Sequence, residues 1–304
     1  MRVMFEVSLD NFDIEQIAVS GQCFRLRTQR EDINGAPAVR FFAVASQYSG
    51  GEITDRTVSG VQVGKSVSFD CDIMEFAGFW SSYFDLDADY GKFISSVDPD
   101  DAYLTASAGS CPGMRILRQD PWEMLITFII SQQNNIPRIK KCVETLCRRY
   151  GREIKQSNAA KMVYEQDVVT ESVNFASEKI YGFPAPDALA GLTEEDLKSC
   201  GLGYRAAYIL RAAREVVSGE LDIDALAQMD YEKAFARLLR LHGVGIKVAN
   251  CVCLFGLHHV EAFPVDTHIN QILALHYPDG FPFERYQGYA GIMQQYMFYY
   301  DLHG

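Results

Sequence analysis

The sequence predicts an α+β protein, with an N-terminal antiparallel β-sheet domain followed by a mostly α-helical region. Three observations predict it. Before residue 100 the chain is rich in short runs of β-type residues separated by turn signals. Helical periodicity takes over from about Met74. From Pro121 to Gly304 successive helix-length segments are separated by Gly, Pro and Asn breaks. The domain division is placed at 1–100 and 101–304.

The strand runs, in order, are MFEVSL from Met4, CFRLR from Cys23, VRFFAVAS from Val39, ITDRTVSGVQVG from Ile53 and SVSFDC from Ser66. Asn34-Gly35 and Gly50-Gly51 mark turns between them, because these residues accept the left-handed backbone that tight hairpins need. Among the helical segments are WEMLITFIISQ from Trp122, RIKKCVETLCRRYG from Arg138, ALAGLTEEDLKSC from Ala188 and YRAAYILRAAREVVSG from Tyr204. Each carries apolar residues at helical spacing.

At 304 residues, 48% hydrophobic and 22% charged, the composition is that of a folded protein with a sizeable core, and it excludes a disordered chain. The N-terminus MRVMFEVSLDNFDIEQ is interrupted by acids before an apolar core could form, so no signal peptide is expected. No stretch approaches eighteen uninterrupted apolar residues, and the expectation is a soluble intracellular protein without membrane contact. The eight cysteines lack the dense spacing of a disulfide scaffold, so reduced, buried thiols are expected. Cys251 and Cys253, two residues apart on a helix, point about 200° from one another and cannot grip one metal, so no zinc site is expected.

A net charge of −12 argues against a polyanion partner. Its distribution weakens that argument. Residues 1–110 hold 8 Lys and Arg against 17 Asp and Glu, a net of −9, which leaves −3 for the other 194 residues. Arg138 to Lys155 carries seven basic and two acidic residues, a run that fits either a solvated helix face or a DNA-facing one.

The most informative segment, Leu238 to Ile272, reads LLRLHGVGIKVANCVCLFGLHHVEAFPVDTHINQI. A helix is predicted to end at His242, a Gly243-Val244-Gly245 hairpin to come next, and a new helix to begin at about Ile246, making a helix-hairpin-helix unit at about 236–256. Exposed amides at a helix start suit a phosphate, although αα-hairpins also turn on glycine for structural reasons alone. Lys247 falls in the first turn of the new helix, where the macrodipole disfavours a cation. Nineteen residues later Asp266 comes after Pro264-Val265 at the start of the next helix. An N-cap is its ordinary role, and a solvated lysine the ordinary reading of Lys247.

Together these residues resemble the helix-hairpin-helix plus Gly/Pro-Asp motif of base-excision DNA glycosylases. The lysine is similar to that of the bifunctional members, which join glycosylase to lyase activity. Further matches, covering nearly the whole chain, resemble the 8-oxoguanine DNA glycosylase family. Ser20-Gly21-Gln22-Cys23-Phe24-Arg25 is similar to its Gly-Gln-x-Phe-Arg signature, which implies that the Gly21 carbonyl accepts from the N7 proton that 8-oxoguanine has and guanine lacks. RILRQDPWEMLITFIISQQNNIPRI implies Asn134 and Arg138 as contacts of the orphaned cytosine, and GLGYR implies Tyr204 as the wedge with Arg205 as a second reader. YAGIMQQYMFYYDL implies that Gln294 reads the flipped base while Phe298 and Cys251 pack on its two faces. Gly243, Val244, Gly245 and His268 are implied as contacts to the DNA backbone. The chain departs from the pattern at His242, where proline is frequent, at Asn250, where aspartate is common, and at Gln133, where asparagine is often found. No cysteine comes after Cys253, so the four-cysteine iron-sulfur cluster of some sister glycosylases is not expected.

The resemblance implies an active site in a cleft between helical subdomains, a monomer on double-stranded DNA containing 8-oxoguanine, and an enzyme needing neither metal nor organic cofactor. Lys247 would attack C1′ of the everted nucleotide and Asp266 would stabilise the positive charge that develops there. An ammonium cannot attack, so the site must desolvate the amine enough to release its proton. Two rival classes stay open at this point. One is a non-catalytic DNA-binding protein using the same hairpin, and the other is a monofunctional alkylbase glycosylase.

Overall fold

A computed structural model of the chain describes residues 5–155 and 179–304. The strands are β1 Phe5–Ser8, β2 Leu26–Ile33, β3 Ala36–Ser49, β4 Glu52–Val63 and β5 Ser66–Phe69. They form one antiparallel sheet in the order β1-β5-β4-β3-β2. Two-residue turns join β2 to β3 and β3 to β4, with Ile33 paired to Ala36 across Asn34-Gly35 and Ser49 to Glu52 across Gly50-Gly51. The helix Ile14–Val19 and the helical tail from Ile73, with a π turn at Phe76–Trp80, cover one face of the sheet. Phe41, Phe69, Trp80 and Phe84 interlock there by edge and tilted ring contacts. The other described residues are mostly helical and pack around a second core, so the α+β architecture expected from the sequence is the one observed.

The local differences have physical causes. The run expected as a strand from Cys23 pairs only from Leu26, because Gln22 and Cys23 are buried where the sheet meets the helices. The segment Ala188–Cys200 is two helices, Pro186–Ala190 and Glu194–Lys198, because Thr193 starts the second with a reciprocal capping box to Asp196. The helix expected to run to His242 stops at Leu238 and continues in turns. A two-stranded ribbon, Glu153–Ile154 with Ile180–Tyr181, interrupts the helical region, and two-residue strands leave no periodicity to read. Met4, the start of the first strand run, lies outside the described residues. No disulfide joins any of the eight cysteines, and all eight are buried. Among the described residues no helix is long and apolar enough to cross a membrane.

One helix joins the two cores. Pro121–Ser131 is buried from Trp122 to Ser131, so no face of it is left for solvent. Its N-cap Asp120 accepts from the Glu123 amide at 2.8 Å and from the Tyr48 amide of β3, also at 2.8 Å. Glu123 pairs at 3.2 Å with Arg25, both side chains less than a tenth exposed, and Arg25 also donates to Ser46 of β3 at 3.0 Å. Trp122 donates its indole N–H to the Pro184 carbonyl at 2.9 Å. The sheet and the helical core therefore meet at the first turn of this helix.

Burial pushes the Asp120 carboxyl up to about 7, with Glu123 adding to the rise and the Tyr48 and Glu123 amides opposing it. A folded-state value above the unfolded one means that the folded protein holds the proton more tightly. This contribution to stability is complete below about pH 4 and is lost as pH rises through about 7. Asp120→Asn keeps a capping oxygen and cannot ionise. Unfolding free energies from urea titrations between pH 4 and 8 are expected to fall for the wild type relative to this variant, by up to about 4 kcal/mol.

Candidate active site

The hairpin comes after the helix Tyr231–Leu238, which Asp230 caps. Gly243 has φ +84, and a Cβ there would lie 2.3 Å from Cγ of the Tyr208 ring, so only glycine fits beneath that ring. Its carbonyl accepts from Gln132 Nε2 at 3.0 Å. Val244 is buried, and Gly245 is the N-cap of the helix Ile246–Phe255 without any side-chain cap. A Cβ at Gly245 would meet nothing within 4 Å, so this helix start is open on its Cβ side.

Lys247, in the first turn of that helix, is half-buried. Its amine donates to Ser131 Oγ at 3.2 Å and lies 5.2 Å from the centroid of the Phe128 ring, which itself stacks on Phe255. Both Phe128 and Ser131 belong to the buried helix Pro121–Ser131. One turn after Lys247, Cys251 is 2% exposed. Burial raises its thiol pKa, the Lys247 amine beside it pulls the other way, and the Asp266 carboxylate adds to the rise. Lys247 and Asp266 thus both lie near enough to Cys251 to act on its thiol. Asp266 caps the helix Thr267–His276, accepting from the Ile269 amide at 3.0 Å through Oδ1. Its ordinary structural role is therefore filled, and the carboxylate is half-buried rather than solvated.

Gly21 has φ +78, and a Cβ there would come to 3.0 Å from Phe298 and 3.7 Å from Ile136. Phe298 stands edge-on to His268, whose Nδ1 is 2.8 Å from Asp301. Gln294, one helical turn before Phe298 on the helix Ala290–His303, is 3% exposed and accepts from Gln295 at 3.2 Å. The start and the end of the chain thus meet at one corner.

The residues expected around the orphaned base form a third group. Tyr204 is 48% exposed and Arg138 is exposed. Asn134 turns its amide inward, donating to the Ile130 carbonyl at 3.0 Å and accepting from the Asn135 amide at 3.1 Å. The neighbouring Gln133 is exposed and has φ +47, a conformation rare for a residue with a side chain. Arg205, expected as a reader of cytosine, is 4% exposed, and its guanidinium donates to the carbonyls of Gln132, Gln133 and Leu202. In this structure it braces a turn from within.

Sequence reasoning did not single out Phe128, Ser131, Gln132, Tyr208 or Asp301. Phe128 and Ser131 read as core positions of an apolar helix, and nothing local marks Gln132 as the partner of a hairpin more than a hundred residues away. Asn250, a departure from the family pattern, is buried and accepts from the Tyr231 hydroxyl at 2.7 Å, a bracing role. A cavity of about 480 Å³ between β2, β3 and the helix Ile136–Tyr150, lined by Phe24, Phe42, Lys140, Cys147 and Tyr181, contains none of the candidate catalytic side chains.

Known proteins share both halves of this architecture. Residues 4–125 match the family model for the 8-oxoguanine DNA glycosylase N-terminal domain, and residues 126–279 match that for HhH-GPD superfamily base excision DNA repair proteins. The chain is 34% identical over 203 residues to the N-glycosylase/DNA lyase of Saccharomyces cerevisiae, covering 62% of this chain and 48% of that protein. It is 33% identical over 210 residues to a probable N-glycosylase/DNA lyase of Methanothermobacter thermautotrophicus, covering 62% of this chain and 60% of that protein. The match thus spans about half the length of these curated relatives. A solved structure of the Clostridium acetobutylicum 8-oxoguanine glycosylase/lyase, in complex with double-stranded DNA containing cytosine opposite 8-oxoguanine, superposes with a TM-score of 0.80 at 30% identity, covering 99% of this chain and 98% of that one.

The two glycines predict a contrast in stability. Gly21→Ala forces a side chain into the left-handed region against Phe298, and is expected to cost about 1–2 kcal/mol or more. Gly245→Ala, with ordinary φ and open space, is expected to cost less than about 1 kcal/mol. Chemical denaturation midpoints of the two variants check the difference.

Proposed function

The chain belongs to the 8-oxoguanine DNA glycosylase family of the helix-hairpin-helix Gly/Pro-Asp superfamily, and on that premise we propose that it excises 8-oxoguanine opposite cytosine from duplex DNA and then nicks the strand. The observation that carries this reading is the Lys247 amine held by Ser131 Oγ and the Phe128 ring in the first turn after the Gly243-Val244-Gly245 hairpin. The proposed chemistry asks for a lysine seated among buried side chains and a carboxylate to balance the positive charge that develops at the sugar.

In the proposed reaction the damaged nucleotide rotates out of the stack, because its anomeric carbon is inaccessible inside the duplex. The neutral amine of Lys247 forms a bond to C1′ as the bond from C1′ to N9 breaks, and the base departs with the electron pair and takes up a proton. Asp266 stabilises the positive charge on the sugar in passing. Loss of a proton from the amine and opening of the sugar give an imine, which makes the 2′ proton acidic. Removal of that proton breaks the bond from C3′ to the 3′ oxygen and nicks the strand.

The remaining residues take the roles that the family pattern suggests. The Gly21 carbonyl reads the N7 proton, Gln294 the Watson-Crick edge, and Phe298 and Cys251 enclose the base. Tyr204 fills the gap, Asn134 and Arg138 face the orphaned cytosine with Arg205 behind them, and the Gly243-Val244-Gly245 hairpin and His268 hold phosphates. For Asn134 this role requires the side chain now bonded to Ile130 to turn toward DNA, whereas Arg205 serves from within, through the Gln132-Gln133 turn that it holds. The reading includes a division of the chain near residue 100, a monomer, a location with chromosomal DNA, and chemistry without metal or organic cofactor.

Borohydride treatment with an 8-oxoguanine:cytosine duplex tests the proposal, since only an imine is reduced to a stable adduct. Wild-type protein is expected to trap, whereas Lys247→Gln is expected to lose trapping and to slow base release on the order of a thousandfold, about 4 kcal/mol of barrier. Asp266→Asn separates cap from charge, because asparagine caps a helix as well as aspartate does. It is expected to slow release by roughly a hundredfold or more while the melting temperature barely moves. Cleavage without trapping overturns the nucleophile assignment. Undiminished release by Lys247→Gln points to a monofunctional glycosylase, and binding without release to a non-catalytic protein.

A further inference from the structure

A closed ring of contacts links three segments that are far apart in sequence. The Tyr204 ring meets the Tyr208 ring edge-on, with centroids 5.8 Å apart. Tyr208 covers Gly243 so closely that a Cβ there would lie 2.3 Å from the ring, and its ring also meets that of His242 edge-on at 5.1 Å. The Gly243 carbonyl accepts from the Gln132 side chain at 3.0 Å. The Gln132 carbonyl accepts from the Arg205 Nε at 2.8 Å, and the Arg205 guanidinium lies 4.6 Å from the centroid of the Tyr204 ring, which closes the circuit. Arg205 has a second hold on the same turn through the Gln133 carbonyl at 3.1 Å.

Each link rests on a packed ring, a buried guanidinium or a short hydrogen bond, so none of the three segments can shift without moving the other two. We propose that Tyr208 and Arg205 are positioning residues that lock the Tyr204 wedge, the Gln132-Gln133 turn and the Gly243–Gly245 hairpin into one unit. Insertion of the wedge and grip on the backbone phosphate then occur as a single event. The proposal rests on the DNA glycosylase function and goes beyond it, because that function alone leaves wedge and hairpin as independent contacts. The exposed Tyr204 ring and the open space at Gly245 are the two ends through which the unit would touch DNA.

The test is a double-mutant cycle on affinity for an 8-oxoguanine:cytosine duplex, measured by fluorescence anisotropy at fixed salt. Tyr204→Ala removes the wedge, and Gly245→Ala places a methyl group where the phosphate would sit. With Tyr208 present, the double variant is expected to lose at least about threefold less affinity than the product of the two single losses, because a unit that fails to seat loses both contacts at once. In a Tyr208→Leu background the losses are expected to multiply, and in a Tyr208→Phe background, which keeps the ring, the coupling is expected to return. A purely structural role for Tyr208 would lower the melting temperature without changing how the two losses combine. If Tyr208→Leu does not fold, His242→Ala removes one ring contact from an exposed position and is expected to weaken the coupling.

Losses that multiply in the wild-type background, or coupling that survives both Tyr208→Leu and His242→Ala, overturn the proposal. A wild-type protein that neither prefers nor traps the lesion duplex overturns the functional reading instead. One that traps it while the losses multiply overturns the coupling alone.

Discussion

The structure depends on the buried first turn of the helix Pro121–Ser131. Asp120 and Glu123 are acids with almost no solvent, and each is held by the sheet, one through the Tyr48 amide and the other through Arg25. A buried ion pair adds little net stability, yet removing one partner strands a charge, at a cost of about 3–5 kcal/mol. The interaction therefore acts as a specificity device, because the sheet can dock on the helices in only one arrangement without stranding a charge. Residues farther along the same helix inherit that placement. Phe128 lies under the lysine, Ser131 accepts from it, and Gln132 just beyond the last turn holds the hairpin. A helix buried on every side transmits position well, since its neighbours leave it no room to tilt.

The site built on this helix seats a lysine where the macrodipole gives no structural reason for one. Its amine lies over the Phe128 ring and donates to Ser131, so the helix Pro121–Ser131 fixes where it sits. The Asp266 carboxylate is kept in place by its own helix, because the oxygen that caps Thr267–His276 fixes the side chain.

Much of this was legible in the sequence. The hairpin, Lys247 and Asp266 fall within thirty residues, and Gly-Val-Gly followed by lysine, then Pro-Val-Asp, carries its own backbone geometry. Other readings survived only in part. Phe298 meets Gly21 at a corner of the fold, but Asn134 turns its amide toward Ile130, and Arg205 is enclosed by backbone carbonyls. In both cases a polar side chain found a partner inside the protein, and an unsatisfied carbonyl nearby is a stronger attraction than open solvent. The helix limits near Leu238 and Gly191 escaped for a different reason, since caps and turns there compete on margins of about 1 kcal/mol.

The sequence by itself determined the five-stranded sheet, the helical region after it, the glycine hairpin and the helix starts that carry Lys247 and Asp266. All of these arise from periodicity of two or 3.6 residues, from turn chemistry and from short spacings, which are set by neighbours along the chain. Only the tertiary structure decided that Gly21 meets Phe298, that Phe128 floors the lysine, and that Tyr204, Tyr208, Gly243, Gln132 and Arg205 close into a ring. Contacts across such separations depend on how whole helices pack, and packing is fixed by the summed shape and burial of many side chains rather than by any one of them.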